Sequence, residues 1–491
     1  MNNPFLKRIL GLSLAVLLFC SCSQSKSPDK PGGGETPTSD GGAQTDDPEG
    51  DESVFGERLK VPDGIEEEDM DGMKFRILLR DSLKYEFHIE EETGENVEDA
   101  IYRRNKKIED RFNVRIVNIP VNNPSDDIGR AVKAGEDAYD LIAHNMVNLA
   151  GISMTKVFVD FNSIPTMDLS QRWFLQDAVS ELSINNKIYI LPGEACLTIL
   201  EAAYCYYFNK ALVADFAIED PYQLVLEGKW TLDKFGEIIK GLYKDLDNDG
   251  KKSPGDFYGF STFNVSHPVT YTYSSGMRIT KNNAEGVPEF VVPSERLYSN
   301  FAKVYGLVCN NPDTFGAKLE EQALIRPMFS NRQAVFLSEV IWVTKNFRDM
   351  EDDFGLVPFP KYDEAQEKYY TFSDGYASMM AIPITVRDVD RVGKIVTALN
   401  AESWKTVIPQ YYDVAIKVKF VRDDESVRVL DMLLDGRVFD FGYIYDWERN
   451  AYGFYMWDLI AKNSDKVASY FEKKTRAADK YLEKVLKTFE D

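Results

Sequence analysis

The sequence predicts an α/β protein of two lobes, each a mixed sheet flanked by helices, joined by a hinge. Three observations carry this expectation. The chain has 491 residues, too many for a single hydrophobic core. Between Lys74 and Asn145 strand-like and helix-like runs alternate, the order expected of parallel βαβ units. Near the middle of the ordered chain, Asn185–Lys210 joins a strand-like run (Lys187–Leu191), a break at Pro192-Gly193 and a second apolar run (Thr198–Phe208) without a turn signal. Long apolar runs of that kind suit a segment buried in a sheet, here at the handover between lobes.

The N-terminus has the form of a secretory leader. Lys7 and Arg8 precede an apolar run, Ile9–Phe19, too short to span a bilayer comfortably. Cys22, after the small Ser21, resembles the lipid-attachment cysteine of a bacterial lipoprotein, which predicts a signal peptide over 1–21 and a lipid anchor on the extracytoplasmic face of the cell membrane. Cys20 is the alternative, but Phe19 is a poor residue before a cleavage site. Residues 22–70 are rich in Gly, Pro, Ser, Thr, Asp and Glu, and residues 23–70 carry 14 acidic and 4 basic side chains. Such a stretch buries too little apolar surface to fold and is expected to be a disordered, self-repelling tether.

Order is expected to start at a strand, Lys74–Leu79. A helix over Val97–Phe112 follows, with Ala100, Ile101, Ile108 and Phe112 on one face, then a strand at Val114–Val117. Ile128–Ala134 suggests another helix, and Tyr139–Asn145 a strand ending in polar residues. After the hinge, Thr231 caps a helix whose apolar stripe is Leu232, Phe235, Ile238, Ile239 and Leu242. Further helices are expected at Val389–Leu399 and, amphipathic, at Lys466–Glu490.

The most specific local motif is Asp245–Asp256, which fits D-x-D-x-D-G-x5-[DE]. Asp245, Asp247, Asp249 and Asp256 supply carboxylates, Lys251 a carbonyl, and Gly250 the sharp turn, a set suited to Ca²⁺. Asp at the twelfth position and Lys252 at the eighth resemble dockerin-type loops. A second loop is absent, so the ion would be structural. The alternative is an acidic surface turn without metal.

Several pieces together resemble the bacterial extracellular solute-binding proteins of the maltose-binding protein superfamily, the family 1 receptors of ABC importers. They are the Asp140-Leu141-Ile142 strand, the Lys187–Pro192 run, Tyr207-Phe208-Asn209-Lys210, and Trp230-Thr231 with Phe235. Phe329–Phe336 followed by Trp342 belongs with them, as do Phe354–Lys361 and Gly375–Pro383. Arg332 and Gln333 depart from the family's Gly-Lys. The resemblance covers about 74–490. It implies a type II periplasmic-binding-protein-like fold, with lobe 1 over 71–195 and 374–430, lobe 2 over 196–373, and C-terminal helices over 431–491. It also implies a carbohydrate-like solute held between the lobes, delivery to ABC permease subunits, and no catalysis.

Positions following predicted strands are the candidate ligand contacts. They are Arg80 and Asp81, His144 and Asn145, Glu194 at the hinge, and Trp342 and Tyr376 as stacking rings. Each has a plain alternative: a surface pair for Arg80–Asp81, a buried capped histidine for His144, core rings for Trp342 and Tyr376. Enzyme motifs are scarce in the sequence, which has no G-x-S-x-G, H-E-x-x-H, phosphate-binding loop or C-x-x-C. Its three histidines lie far apart. The net charge of −23 disfavours nucleic acid and anionic lipid as partners. Cys196, Cys205 and Cys309 do not make a disulfide framework, although a bridge between two of them stays open. The rival functions are a surface binding or signalling module on the same fold and a secreted polysaccharide-active enzyme.

Overall fold

The computed structural model describes residues 54–415 and 424–490. The leader, Cys22 and most of the expected tether lie outside them. The described part of the tether is folded. Val54–Leu59 is a helix packed on the Ser403–Val407 turn, with Arg58 stacked 4.9 Å over Trp404. Asp63 pairs with Arg111, and Glu68 with Lys394 (2.6 Å) and Arg391 (2.9 Å). The tether expected to be disordered to residue 70 is therefore folded from Val54 onward. Its acidic side chains find partners on the body, and composition alone does not reveal these.

Lobe 1 is built on a four-stranded sheet. Its strands are β1 (Met73–Arg80), β2 (Val114–Val121), β3 (Leu141–Asn145) and β12 (Ser378–Ala381), in the order β12-β3-β1-β2. β1 runs parallel to β2 and β3, with Leu79 opposite Ala143, and β12 returns antiparallel to β3. Helix Asn96–Phe112 makes the β1–β2 crossover and buries Ala100, Ile101, Ile108 and Phe112, the expected face. Helix Pro124–Ala134 makes the next crossover, capped by Asn123.

Lobe 2 is built on a five-stranded mixed sheet. Its strands are β4 (Tyr204–Asn209), β5 (Tyr258–Phe263), β8 (Thr314–Ala317), β9 (Ala334–Val340) and β10 (Phe354–Val357), in the order β10-β4-β9-β5-β8. β4, β5 and β9 are buried along their whole length, which explains their mainly apolar and aromatic sequences. A separate hairpin of β6 (Thr280–Asn282) and β7 (Pro288–Phe290) follows β5 in the chain. The Trp-Thr helix forms over Leu232–Ile238, with Thr231 Oγ1 accepting from Lys234 N–H at 3.2 Å.

The stretch expected to form the handover has a different shape from the one expected. Leu191 is bridged to Met380 of lobe 1. Thr198–Glu201, expected to be extended, is one turn of helix, and β4 starts at Tyr204. An apolar run buried on all sides carries no periodicity to separate strand from helix. Here the turn is fixed by Glu86, whose Oε1 accepts from Thr198 N–H (2.9 Å) and Oγ1 (2.7 Å) while Oε2 accepts from Ser378 Oγ (2.6 Å). The chain returns through β11 (Thr371–Phe372), bridged beside the outgoing crossover at Ser373–Ala203.

The region 374–430 divides. Val389–Ala415, helical throughout, packs on Asn96–Phe112 of lobe 1. Helix Asp424–Asp435 packs on Pro221–Leu226 and β10 of lobe 2, a third passage between lobes that the sequence did not signal. β13 (Arg437–Val438) then pairs with β11. Helix Phe441–Ile444 packs both on Met146–Ser153 of lobe 1 and on the β6–β7 hairpin. The final helix, Val467–Leu486, buries Phe471, Ala478, Tyr481 and Val485. Cys196, Cys205 and Cys309 are free thiols.

Candidate functional site

Lobe 1 gathers polar side chains at the C-terminal ends of β1 and β3, where α/β sheets place ligand sites. Arg80 ends β1 and is 6% exposed. Its Nη2 donates to Tyr376 O at 2.8 Å, and its guanidinium lies 3.5 Å from the centroid of the Tyr376 ring. Nε and Nη1 are buried without a hydrogen-bond partner. Burial lowers the guanidinium pKa, an effect offset by Tyr376 and by Glu86 at longer range. One strand over, His144 is buried, with Nε2 3.0 Å from Ser125 Oγ and 3.2 Å from Asn148 Nδ2. Its Nδ1 has no partner, nor does Oδ1 of the adjacent Asn145. Burial, and then the charge of Arg80, push the His144 imidazole down to about 3, so the ring is neutral at pH 7.

Tyr376 is the exposed member of this group, at 46%. Its N–H donates to Asp374 Oδ1 (2.8 Å), and its hydroxyl lies 3.3 Å from Ser82 Oγ. Asp81, the neighbour of Arg80, is exposed and pairs with Lys84 at 3.2 Å. Glu194 is buried at the crossover, faces Arg437 Nη2 at 3.7 Å, and is pushed up by burial. Its partner lies on the C-terminal segment, so these contacts place it in the packing of the hinge.

Lobe 2 contributes Trp342, two residues beyond the end of β9. The ring is partly exposed, with Arg326 5.1 Å and Lys345 4.9 Å from its centroid. Arg326 also pairs with Glu339 at 2.8 Å. Trp342 and Tyr376 are brought toward one place by the crossover. Ile341 N–H donates to Ala203 O and Asp374 N–H to Ala202 O, both at 2.9 Å. The backbones just before the two rings, one in each lobe, are thus tied to the Ala202-Ala203 dipeptide. Below them Tyr204 donates to Asp374 Oδ2 at 2.7 Å, and Tyr85 of lobe 1 donates to Glu201.

Sequence reasoning missed Tyr85, Glu86, Glu201, Asp374, Arg326 and Lys345. Asp374, two residues before Tyr376 in a polar turn, was the one within reach of a local signal. The others are assembled by tertiary contacts.

In the acidic loop, carboxylate oxygens of Asp245, Asp247 and Asp249 lie within 4.8 Å of one another. Asp245 accepts from Gly250 N–H (2.8 Å) and Asn248 N–H (2.7 Å), wrapping the loop around the three. This set fits a hard cation. Asp256 is not in the group. Its buried carboxylate accepts from Leu246 N–H (3.1 Å), Ser253 N–H (2.8 Å) and Tyr243 Oη (3.3 Å), which makes it a loop anchor. Lys251 contributes its N–H to Asp249 at 2.7 Å.

No family model matches the sequence, and no curated protein does. Solved structures match it in fold. The ABC substrate-binding protein Lmo0181 of Listeria monocytogenes, solved with cycloalternan, matches with TM-score 0.50 and 16% identity, over 85% of this chain and 99% of that one. UspC of M. tuberculosis matches with TM-score 0.54 and 12% identity, over 83% and 100%. The GacH receptor of Streptomyces glaucescens, solved unliganded and with acarbose, matches with TM-score 0.52 and 13% identity, over 85% and 99%. At these identities the likeness establishes the two-lobed fold.

Proposed function

We propose that this protein is the solute-capturing receptor of an ABC importer, anchored through a lipid on Cys22, and that its solute is carbohydrate-like. The observation that carries the reading is that an exposed ring of lobe 1, Tyr376, and a partly exposed ring of lobe 2, Trp342, each lie within two residues of a backbone hydrogen bond to the Ala202-Ala203 crossover. A sugar presents hydroxyls at its rim and C–H groups on its faces. Rings cover the faces, while buried polar groups at strand ends accept from and donate to the rim. Hinged lobes of this kind close around a guest, as those of periplasmic binding proteins do. Solute-bound proteins of the same fold, Lmo0181 with cycloalternan and GacH with acarbose, support the reading. Among the described residues no helix is long and apolar enough to cross a membrane. We further propose that Asp245, Asp247 and Asp249 hold a structural Ca²⁺.

Protein purified from its native membrane under non-denaturing conditions should carry a small polar molecule and a diacylated Cys22. Mass spectrometry of one sample reads both. A library of mono- and oligosaccharides should contain members that raise the melting temperature by mass action. A library without any such member, together with turnover of a polysaccharide, would replace the receptor reading with an enzymatic one.

A further inference from the structure

Three buried polar side chains at the ends of two neighbouring strands have atoms without partners among the described residues: Nε and Nη1 of Arg80, Nδ1 of His144 and Oδ1 of Asn145. Buried polar groups are nearly always satisfied, so such a concentration needs a cause. The deficit is mainly one of acceptors. The two Arg80 groups are N–H donors. His144 is neutral, and Asn148 Nδ2, at 3.2 Å, donates to its Nε2, so the ring proton sits on Nδ1.

The positive charge is equally uncompensated. The chain has 80 acidic and 57 basic residues, enough carboxylates for every cation. Yet Arg80 forms no ion pair among the described residues, and the nearest carboxylates are engaged elsewhere: Glu86 with Thr198 and Ser378, Asp374 with Tyr204 and the Tyr376 N–H. Across the crossover Lys345 lies over Trp342 and forms no ion pair among the described residues either. Each aromatic ring of the site therefore has against it a cation without an ion pair among the described residues, the buried Arg80 at Tyr376 and the exposed Lys345 at Trp342. A protein that buries an arginine without a counter-ion does so at a cost in stability, which an incoming anion removes.

We propose that the cleft takes an anionic saccharide, one bearing a carboxylate or sulfate, and that Arg80 receives the charged group when the Tyr376 ring moves off it. The inference rests on the receptor reading and narrows its solute class. Tyr376 suits the part of a displaceable cover. Its ring shields the guanidinium at 3.5 Å, is nearly half exposed, and is tied by its hydroxyl only through the 3.3 Å contact with Ser82. A carboxylate or sulfate would accept from Nε or from Nη1, which lie on different edges of the guanidinium, a charge-assisted hydrogen bond stronger than the contact it replaces. His144 Nδ1–H supplies a further donor beside them, and Lys345 sets the charge of the facing wall.

The test is calorimetric titration of the purified full chain with matched pairs of saccharides. Digalacturonate against galactobiose and glucuronate against glucose form the carboxylate arm, and sulfated against unsulfated N-acetylgalactosamine the sulfate arm. At least one acidic member should bind tenfold or more tighter than its neutral twin, and the preference should shrink as salt rises. Arg80→Gln should bring the acidic-to-neutral ratio close to one, and Lys345→Gln should reduce it severalfold. Melting curves establish that both variants are folded. A neutral sugar that binds as tightly as its acidic twin would overturn the inference and leave the receptor reading standing. Binding of no saccharide at all would overturn both. An acidic preference unchanged in both variants would remove these two residues from the role.

Discussion

Glu201 carries a carboxyl group into the crossover, where it is 9% exposed and takes a hydrogen bond from Tyr85. Burial pushes its pKa up to about 7 against the pull of that bond. The folded state therefore holds the proton more tightly than the unfolded chain, whose value is 4.5. Stability from this group is complete below pH 4.5, falls as pH rises toward 7, and is lost above it. A shift of this size corresponds to about 3 kcal/mol at most. His144 and His267, held neutral by burial, act in the other direction and weaken the fold as pH drops below 6.5. Glu201→Gln keeps an acceptor for Tyr85 and removes the titration. Denaturant unfolding at about pH 5 and about pH 8, on either side of the shifted value, should show the variant gaining on the wild-type protein only at the higher pH. Parallel pH profiles would mean that Glu201 does not titrate in this range.

At the scale of elements, segments with period or punctuation were legible in the sequence. β1, the Asn96–Phe112 helix, the Thr231-capped helix and the C-terminal helix lie within a few residues of expectation. Each has an amphipathic stripe, a cap or a polar boundary. What was not legible is what tertiary contact decides. The Thr198–Glu201 turn depends on Glu86, 112 residues away in sequence from Thr198. The site shows the same division. Arg80, His144 and Asn145 lie at strand ends as expected, whereas Glu194 and Asp81 follow strand-like runs yet have partners elsewhere.

The acidic loop differs from these elements, since the spacing of its carboxylates is encoded in consecutive residues. Its three clustered carboxylates repel one another until a cation joins them. Calcium at about 100 times its dissociation constant should stabilise the protein by about 2.7 kcal/mol. The melting temperature should rise by a few degrees, and a chelator should reverse the rise. Asp247→Ala should abolish the response, while magnesium should not reproduce it. A melting temperature indifferent to calcium and chelator would make the loop an acidic turn.

For the whole molecule, the C-terminal segment ties the lobes in a way that a simple hinge does not. The chain passes between lobes at Leu191–Tyr204, at Phe372–Ser378 and again before Asp424. It ends on a segment touching both. Val467–Leu486 packs on Glu295–Tyr305 of lobe 2, while the Phe489 ring lies 5.2 Å from Tyr189, 5.8 Å from Tyr445 and 6.2 Å from Phe441. Phe489 is 1% exposed. A ring buried to this degree behaves as core, and truncating it leaves a cavity between segments that are remote in sequence. Phe489→Ala should cost about 3–5 kcal/mol. Because the segment is attached to both lobes, calorimetry should show the entire unfolding transition shifting down as one peak. A split into two transitions, with only one displaced, would mean that the lobes unfold separately and that the C-terminal helix belongs energetically to one of them.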